Sequence, residues 1–117
     1  MIQNDLTLFY KALKATFPEY QYHTDPSDCW VYGYDNSRRH ALPDAVVFAK
    51  SHDDVVKAVK LCYEFNIPLT ARGRASGTTG AAVPTYGGLV LSLERMQNII
   101  SFEPDNRLMV VEPGVLN

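Results

Sequence analysis

Between residues 45 and 71, two short apolar runs flank one amphipathic segment of helical length, and the links on both sides are brief. Ala45-Val46-Val47-Phe48-Ala49 suits a buried strand. Ser51-His52-Asp53-Asp54 has the form of a capping box, with Ser51 able to cap and an acidic residue three positions later. The helix it opens runs to about Asn66. Val55, Val59 and Cys62 share one stripe, and Asp53 and Lys57 form a favourable i,i+4 pair. Ile67-Pro68-Leu69-Thr70-Ala71 reads as a second strand, with Pro68 tolerated near its start or on an edge. A strand–helix–strand unit of this kind predicts two adjacent parallel strands joined by a right-handed crossover, with the helix packed over them.

Directly after that unit comes Arg72-Gly73-Arg74-Ala75-Ser76-Gly77-Thr78-Thr79-Gly80-Ala81-Ala82-Val83-Pro84. Glycines let successive N–H groups turn into one concavity, the hydroxyls of Ser76, Thr78 and Thr79 add donors, and Arg72 and Arg74 add charge. A pyrophosphate is the natural guest. The segment is not a Walker A loop, since no Gly-Lys-Ser/Thr ends it. It is not a Rossmann fingerprint either, because the glycine spacing differs and Val83-Pro84 and Gly87-Gly88 interrupt any following helix. Loop amides rather than a long helix N-terminus would therefore hold the phosphates. Spacing alone leaves a flexible glycine-rich surface turn equally open.

The remaining chain adds a helix over about 5–17, from Leu6, Phe9, Leu13 and Phe17, stopped by Pro18. Residues 18–43 read as an ordered but irregular loop dense in aromatics. Trp30 and Tyr32 read as packing groups. Gly88 to Leu93 forms a strand with Leu89, Leu91 and Leu93 on one face. Ile99–Glu103 and Leu108–Glu112 form an antiparallel hairpin around Pro104-Asp105-Asn106, closed by Pro113-Gly114. The 117 residues, 46% apolar and 21% charged, suffice for one packed domain and exclude disorder by composition. The net charge of −2 argues against a nucleic-acid binder. No apolar run is long enough for a transmembrane helix, and the first residues do not have the form of a secretory signal. Cys29 and Cys62 form no CxxC motif and read as reduced thiols of a cytoplasmic protein, with Cys62 in the core. His23, His40 and His52 have no metal-ligand spacing, so no metal site is expected. Asp53-Asp54 reads as helix capping and Glu112 as structural.

The loop from Arg72 to Pro84 resembles the pyrophosphate loop of FAD-linked oxidases of the para-cresol methylhydroxylase and vanillyl-alcohol oxidase type. Within them it is most similar to the group of glycolate oxidases and D-lactate dehydrogenases. Three further blocks resemble the family in order. They are Pro43-Asp44-Ala45-Val46-Val47, Leu91 to Ile99, and Pro104-Asp105-Asn106-Arg107 running to Glu112-Pro113-Gly114-Val115. Tyr34-Asp35 is similar to a short stretch ahead of the domain in relatives, although a loop aromatic beside a turn aspartate would look the same. The resemblance covers about residues 30–117. It departs where relatives usually have Gly-Thr and this chain has Ala75-Ser76. If that site needs a positive φ, Ala75 strains the loop by about 1 kcal/mol. Covalent relatives attach flavin to a histidine at the position of Ser76, and no histidine lies between His52 and Asn117.

The resemblance implies an α+β fold: a βαβ unit, a glycine-rich pyrophosphate loop and short strands ending in a hairpin, with the N-terminal helix outside. Residues 1–42 form the N-terminal helix and ordered loop. Residues 43–117 form the first subdomain of an FAD-binding domain, truncated at its C-terminal end. The implied cofactor is noncovalent FAD, contacted by Arg72, Gly73, Arg74, Ala75, Ser76, Gly77, Thr78, Thr79, Gly80, Pro113 and Gly114. The implied reaction is oxidation of a small 2-hydroxy acid such as D-lactate or glycolate, with no catalytic residue in this stretch. Self-association, or a chain completing the domain, is the expected protein contact. A ligand-free fragment or small interaction module remains the rival, and the related reductase of peptidoglycan synthesis fits the loop less well.

Overall fold

The computed structural model describes residues 6–116, so Asp5, the expected start of the first helix, lies outside the described residues. The described residues form the helices α1 (Leu6–Thr16), the four-residue α2 (Pro26–Cys29) and α3 (His52–Phe65). The strands are β1 (Tyr22–His23), β2 (Ala45–Phe48), β3 (Leu69–Arg72), β4 (Leu89–Ser92), β5 (Ile99–Glu103) and β6 (Leu108–Val111). The first four form one sheet in the order β1-β2-β4-β3, and the last two form a separate hairpin.

The strands of the βαβ unit are parallel, but they are not neighbours. Both pair with β4, with Ala45 and Leu69 each opposite Leu89 on its two sides. Burial explains the insertion. Leu89, Val90, Leu91 and Ser92 are at most 2% exposed, whereas every residue of β3 is half-buried or exposed. The strand apolar on both faces takes the centre, and the strand carrying Thr70 and Arg72 goes to the edge. The second strand also starts at Leu69, two residues later than expected.

Helix α3 begins as its capping box requires. Ser51 Oγ accepts the Asp54 N–H at 3.3 Å, and Asp54 Oδ2 accepts the Lys50 N–H at 3.0 Å. It ends at Asn66, which holds a left-handed φ of 56°. The buried face is one residue out of phase with the predicted stripe. Ala58, Leu61 and Cys62 are buried, Val55 is partly buried, and Val59 is 48% exposed. Small Ala58 lets the helix approach the sheet more closely than Val59 would.

Helix α1 is not outside the fold. Phe9, Leu13 and Phe17 join Ala45, Val47, Leu89, Leu91 and Cys62 in the main core, and Phe9 meets Phe65 edge-on at 6.4 Å. The opposite sheet face carries a smaller cluster of Cys29, Val46, Phe48 and Val90, with Tyr32 against it. The segment 18–43 is more regular than its sequence suggested, contributing β1, α2 and two 3-10 turns. Buried Gln21 ties it down, donating to Phe48 O at 2.9 Å and to Asp54 Oδ2 at 3.0 Å. The hairpin turn ends on a left-handed residue, Arg107 (φ 52°). Glu112 lies just past β6 and closes the hairpin base, where its carboxylate accepts the Asn98 N–H at 2.8 Å. Among the described residues no helix is long and apolar enough to cross a membrane.

Candidate functional site

Because β2, β4 and β3 are mutually parallel, their carboxyl ends lie on one edge of the sheet. The glycine-rich loop leaves β3 at that edge. In doubly wound parallel sheets this is where ligands bind, because successive strands end there in loops.

The loop is held from two directions. From the N-terminal segment, the Asn36 N–H donates to Gly77 O at 3.0 Å, and Asn36 Nδ2 donates to Ser76 O at 3.2 Å. Next to it, the Asp35 carboxylate accepts the Ser37 N–H at 2.8 Å. The Ser37 hydroxyl and N–H hold the Asp35 pKa below the usual 3.8, burial opposes them, and the N–H groups of Ala82 and Gly80 add to the lowering. From the hairpin side, Arg74 Nε donates to Gly114 O at 2.9 Å. Gly114 has no room for a side chain, since a Cβ there would come within 2.6–2.7 Å of the Leu93, Glu94 and Met96 carbonyl oxygens. A Cβ on Gly73 would meet Pro113 O at 3.4 Å, so the end of the hairpin abuts the start of the loop.

Arg72 is committed to the fold more than its sequence context suggested. It donates to Tyr34 O at 2.6 Å and to Val31 O at 3.5 Å, and its guanidinium lies 5.4 Å from the Tyr32 ring centroid. Arg72 and Arg74 thus anchor the loop through carbonyls. Arg74 spends only Nε on Gly114 O in doing so. Ala75 adopts φ 55°, the left-handed conformation that the usual glycine would hold without strain.

The loop's own amides are the chemistry on offer. Among the described residues, no N–H from Gly73 to Thr79 donates to a protein acceptor. Gly77 faces open space, since a Cβ there would meet nothing within 4 Å. A loop with a row of unused amides, an open glycine and its hydroxyl residues exposed at its tip fits a diphosphate, which is acceptor-rich and acceptor-only. Sequence reasoning found this loop but missed the residues that hold it. Asp35-Asn36-Ser37 is a run of turn formers whose side chains bond backbone, and that was the available signal.

Trp30 is 55% exposed and packs against His40 in a tilted arrangement with centroids 3.9 Å apart, while Tyr32 packs edge-on against Phe48. No group of three or more His, Cys, Asp or Glu able to hold a metal ion occurs among the described residues.

Comparison with known proteins agrees with this geometry. The family model described as an FAD binding domain matches residues 43–117. Glycolate oxidase subunit GlcD of Bacillus subtilis (strain 168) is 33% identical over 87 residues, which cover 74% of this chain and 18% of that protein. A D-lactate dehydrogenase of Anaerostipes hadrus is 38% identical over 76 residues, covering 65% of this chain and 16% of that protein. The chain therefore spans less than a fifth of the length of either relative. A p-cresol methylhydroxylase structure with substrate bound superposes with a TM-score of 0.81 at 27% identity, over 97% of this chain and 23% of that one. An alkyldihydroxyacetonephosphate synthase shares the fold, with a TM-score of 0.79 at 20% identity over 94% of this chain and 23% of the other. Loop, sheet and relatives converge: this chain belongs to the FAD-binding domain family, and FAD is the cofactor that its fold serves.

Proposed function

We propose that this chain supplies the pyrophosphate cradle of a flavin-dependent oxidoreductase acting on a small 2-hydroxy acid such as D-lactate or glycolate. The observation that carries the reading is the run of unpartnered amides from Gly73 to Thr79 at the carboxyl edge of the sheet. The nature of the relatives supports the substrate class. Residues 43–117 act as the first FAD subdomain, and residues 1–42 lead into it.

In this reading Gly73, Ala75, Ser76, Gly77, Thr78 and Thr79 meet the diphosphate through amides and hydroxyls, while Gly80, whose N–H is spent on the Asp35 carboxylate, closes the loop. Arg74 adds charge from its free guanidinium nitrogens, while Arg72, Pro113 and Gly114 set the loop's position. FAD is held noncovalently, with Ser76 at the position where covalent relatives carry histidine. When bound, the flavin takes up the two electrons of the oxidation. The residues described here bind and orient it and move no substrate proton. Each charge-assisted hydrogen bond contributes ~1.5–3 kcal/mol. Association costs at least ~4 kcal/mol. The 117 residues alone therefore bind FAD in the ~mM to high-µM range and oxidise no 2-hydroxy acid. The two buried free thiols support a reducing compartment, the cytoplasm. The exposed apolar hairpin supports self-association, or cover by a further chain.

Titration with FAD tests the loop. Gly77→Val places a branched side chain in the open space without touching the core, so it should abolish binding and leave the melting temperature nearly unchanged. Equal affinity in the two proteins would mean that the diphosphate lies elsewhere. Calorimetry beside sedimentation tests the remainder, and sub-micromolar binding by a monomer would refute the weak-binding expectation.

A further inference from the structure

We infer that Asn36 is a positioning residue that aims the Gly77 and Thr78 amides at the cofactor diphosphate; the inference rests on the cradle reading above. A trans peptide is planar, and its C=O and N–H point in opposite directions. No cis peptide bond occurs among the described residues, so this holds throughout the loop. Asn36 Nδ2 ties down the carbonyl of the Ser76–Gly77 peptide at 3.2 Å, which turns the Gly77 N–H away from Asn36. The Asn36 N–H ties down the carbonyl of the next peptide at 3.0 Å, which turns the Thr78 N–H the same way.

Two consecutive peptides are thus clamped on their carbonyl side by one residue 40 positions earlier in the chain. Their N–H groups have no protein acceptor, and the open side of Gly77 lies between them. Asn36 is itself seated by its neighbours. Arg72 holds Tyr34 O at 2.6 Å, and buried Asp35 accepts the Ser37 N–H at 2.8 Å. The clamp is therefore built from the protein's own bonds. Preorganisation of this kind raises affinity by removing the ordering cost from the binding step. Asn36 need not touch FAD to do so.

Asn36→Asp tests the clamp, because it is isosteric but replaces the Nδ2 donor with an oxygen that repels Ser76 O. Asn36→Ala removes the side-chain bond without adding charge. Two readouts are needed. Without FAD, residual dipolar couplings of the Gly77 and Thr78 amides in 15N-labelled protein report their orientation. In the wild type they should fit the alignment frame of the sheet. In both variants the Gly77 coupling should shrink, with the melting temperature within a few degrees because Asn36 is exposed. With FAD, amide-shift titration should show affinity falling by about tenfold in Asn36→Ala, the loss of roughly one oriented hydrogen bond, and further in Asn36→Asp. Unchanged couplings in both variants would overturn the clamp whatever FAD does. Unchanged FAD affinity in both, with Gly77→Val still abolishing binding, would overturn this inference alone. Equal binding by wild type and Gly77→Val would overturn the cradle reading, and this inference with it.

Discussion

Ala75→Gly should stabilise this protein, although alanine-to-glycine changes usually do the reverse. Ala75 sits at φ 55°, between Arg74, which is bonded to Gly114 O, and Ser76, which is bonded to Asn36. An L-residue in the left-handed region costs roughly 1–2 kcal/mol. Glycine removes that cost but gives about 0.4–1 kcal/mol back through the greater freedom of its unfolded chain. The expected gain is therefore about 0.5 kcal/mol. In a domain of this size that raises the melting temperature by roughly 2–4 °C. Ala81→Gly is the matched control. It lies in the same loop, is exposed and has no positive φ, so only the unfolded-state term applies and the change should destabilise by about 0.4–1 kcal/mol. The unfolded-state terms cancel between the two variants, and the difference reads the left-handed strain directly, at about 1–2 kcal/mol. Urea melts of the three proteins measure it. If Ala75→Gly destabilised as much as Ala81→Gly, Ala75 would not be left-handed and the strain argument would fail.

Gly88→Ala should cost about 2–5 kcal/mol by urea melt, because its φ is +78° and a Cβ would collide with Pro68 O. Burial raises the thiols of Cys29 and Cys62 from 9.0 to about 11 and about 12, so native protein at pH 8 should resist alkylation that denatured protein undergoes at once. Because both pKa values rise on folding, the stability they contribute is complete below pH 9 and is lost as pH climbs towards 11–12, by about 1.4 kcal/mol per pH unit per thiol. A flat urea midpoint across that window would contradict the burial. Phe102 and Val110 are 64% and 42% exposed, so Phe102→Lys with Val110→Lys should lower the sedimentation-average mass if the hairpin drives self-association.

The parts of the fold legible in sequence were those set by local chemistry. Ser51 and Asp54 mark the start of α3 because a cap is a contact between residues three apart. The turn at Pro104–Asn106 is legible for the same reason. Strand order was not legible, because whether β2 meets β3 or β4 depends on which strand is buried on both faces. The alternation of Leu89, Leu91 and Leu93 suggested a one-faced strand, yet Val90 packs into the second cluster with Cys29, Val46 and Phe48. The stripe on α3 slipped by one residue because hydrophobicity favours Val59 over Ala58, whereas close packing on a sheet favours the smaller residue. At the site, glycine content located the loop. Composition cannot say whether an arginine faces phosphate or carbonyl, and Arg72 turned to Tyr34 O.

The site is a product of tertiary structure rather than of the loop's own sequence. The segment from Gly73 to Gly88 must carry the chain from the carboxyl end of β3 back to the amino end of β4, because those strands are adjacent and parallel. Among the described residues no α-helix makes the return. Its glycine-rich first half consequently stays at the carboxyl edge, with few backbone bonds of its own. What gives it shape comes from elsewhere: Asn36 from 40 residues before and Gly114 from 40 residues after. Each partner is tied in turn to the sheet, Asn36 through its neighbour Tyr34, whose carbonyl Arg72 holds at the end of β3, and Gly114 through the Met96 carbonyl past β4. An isolated peptide of the loop therefore has the amides but not their orientation. Cradle and fold must form together, and any ligand of the cradle binds the folded state alone and stabilises it by RT ln(1 + [L]/Kd).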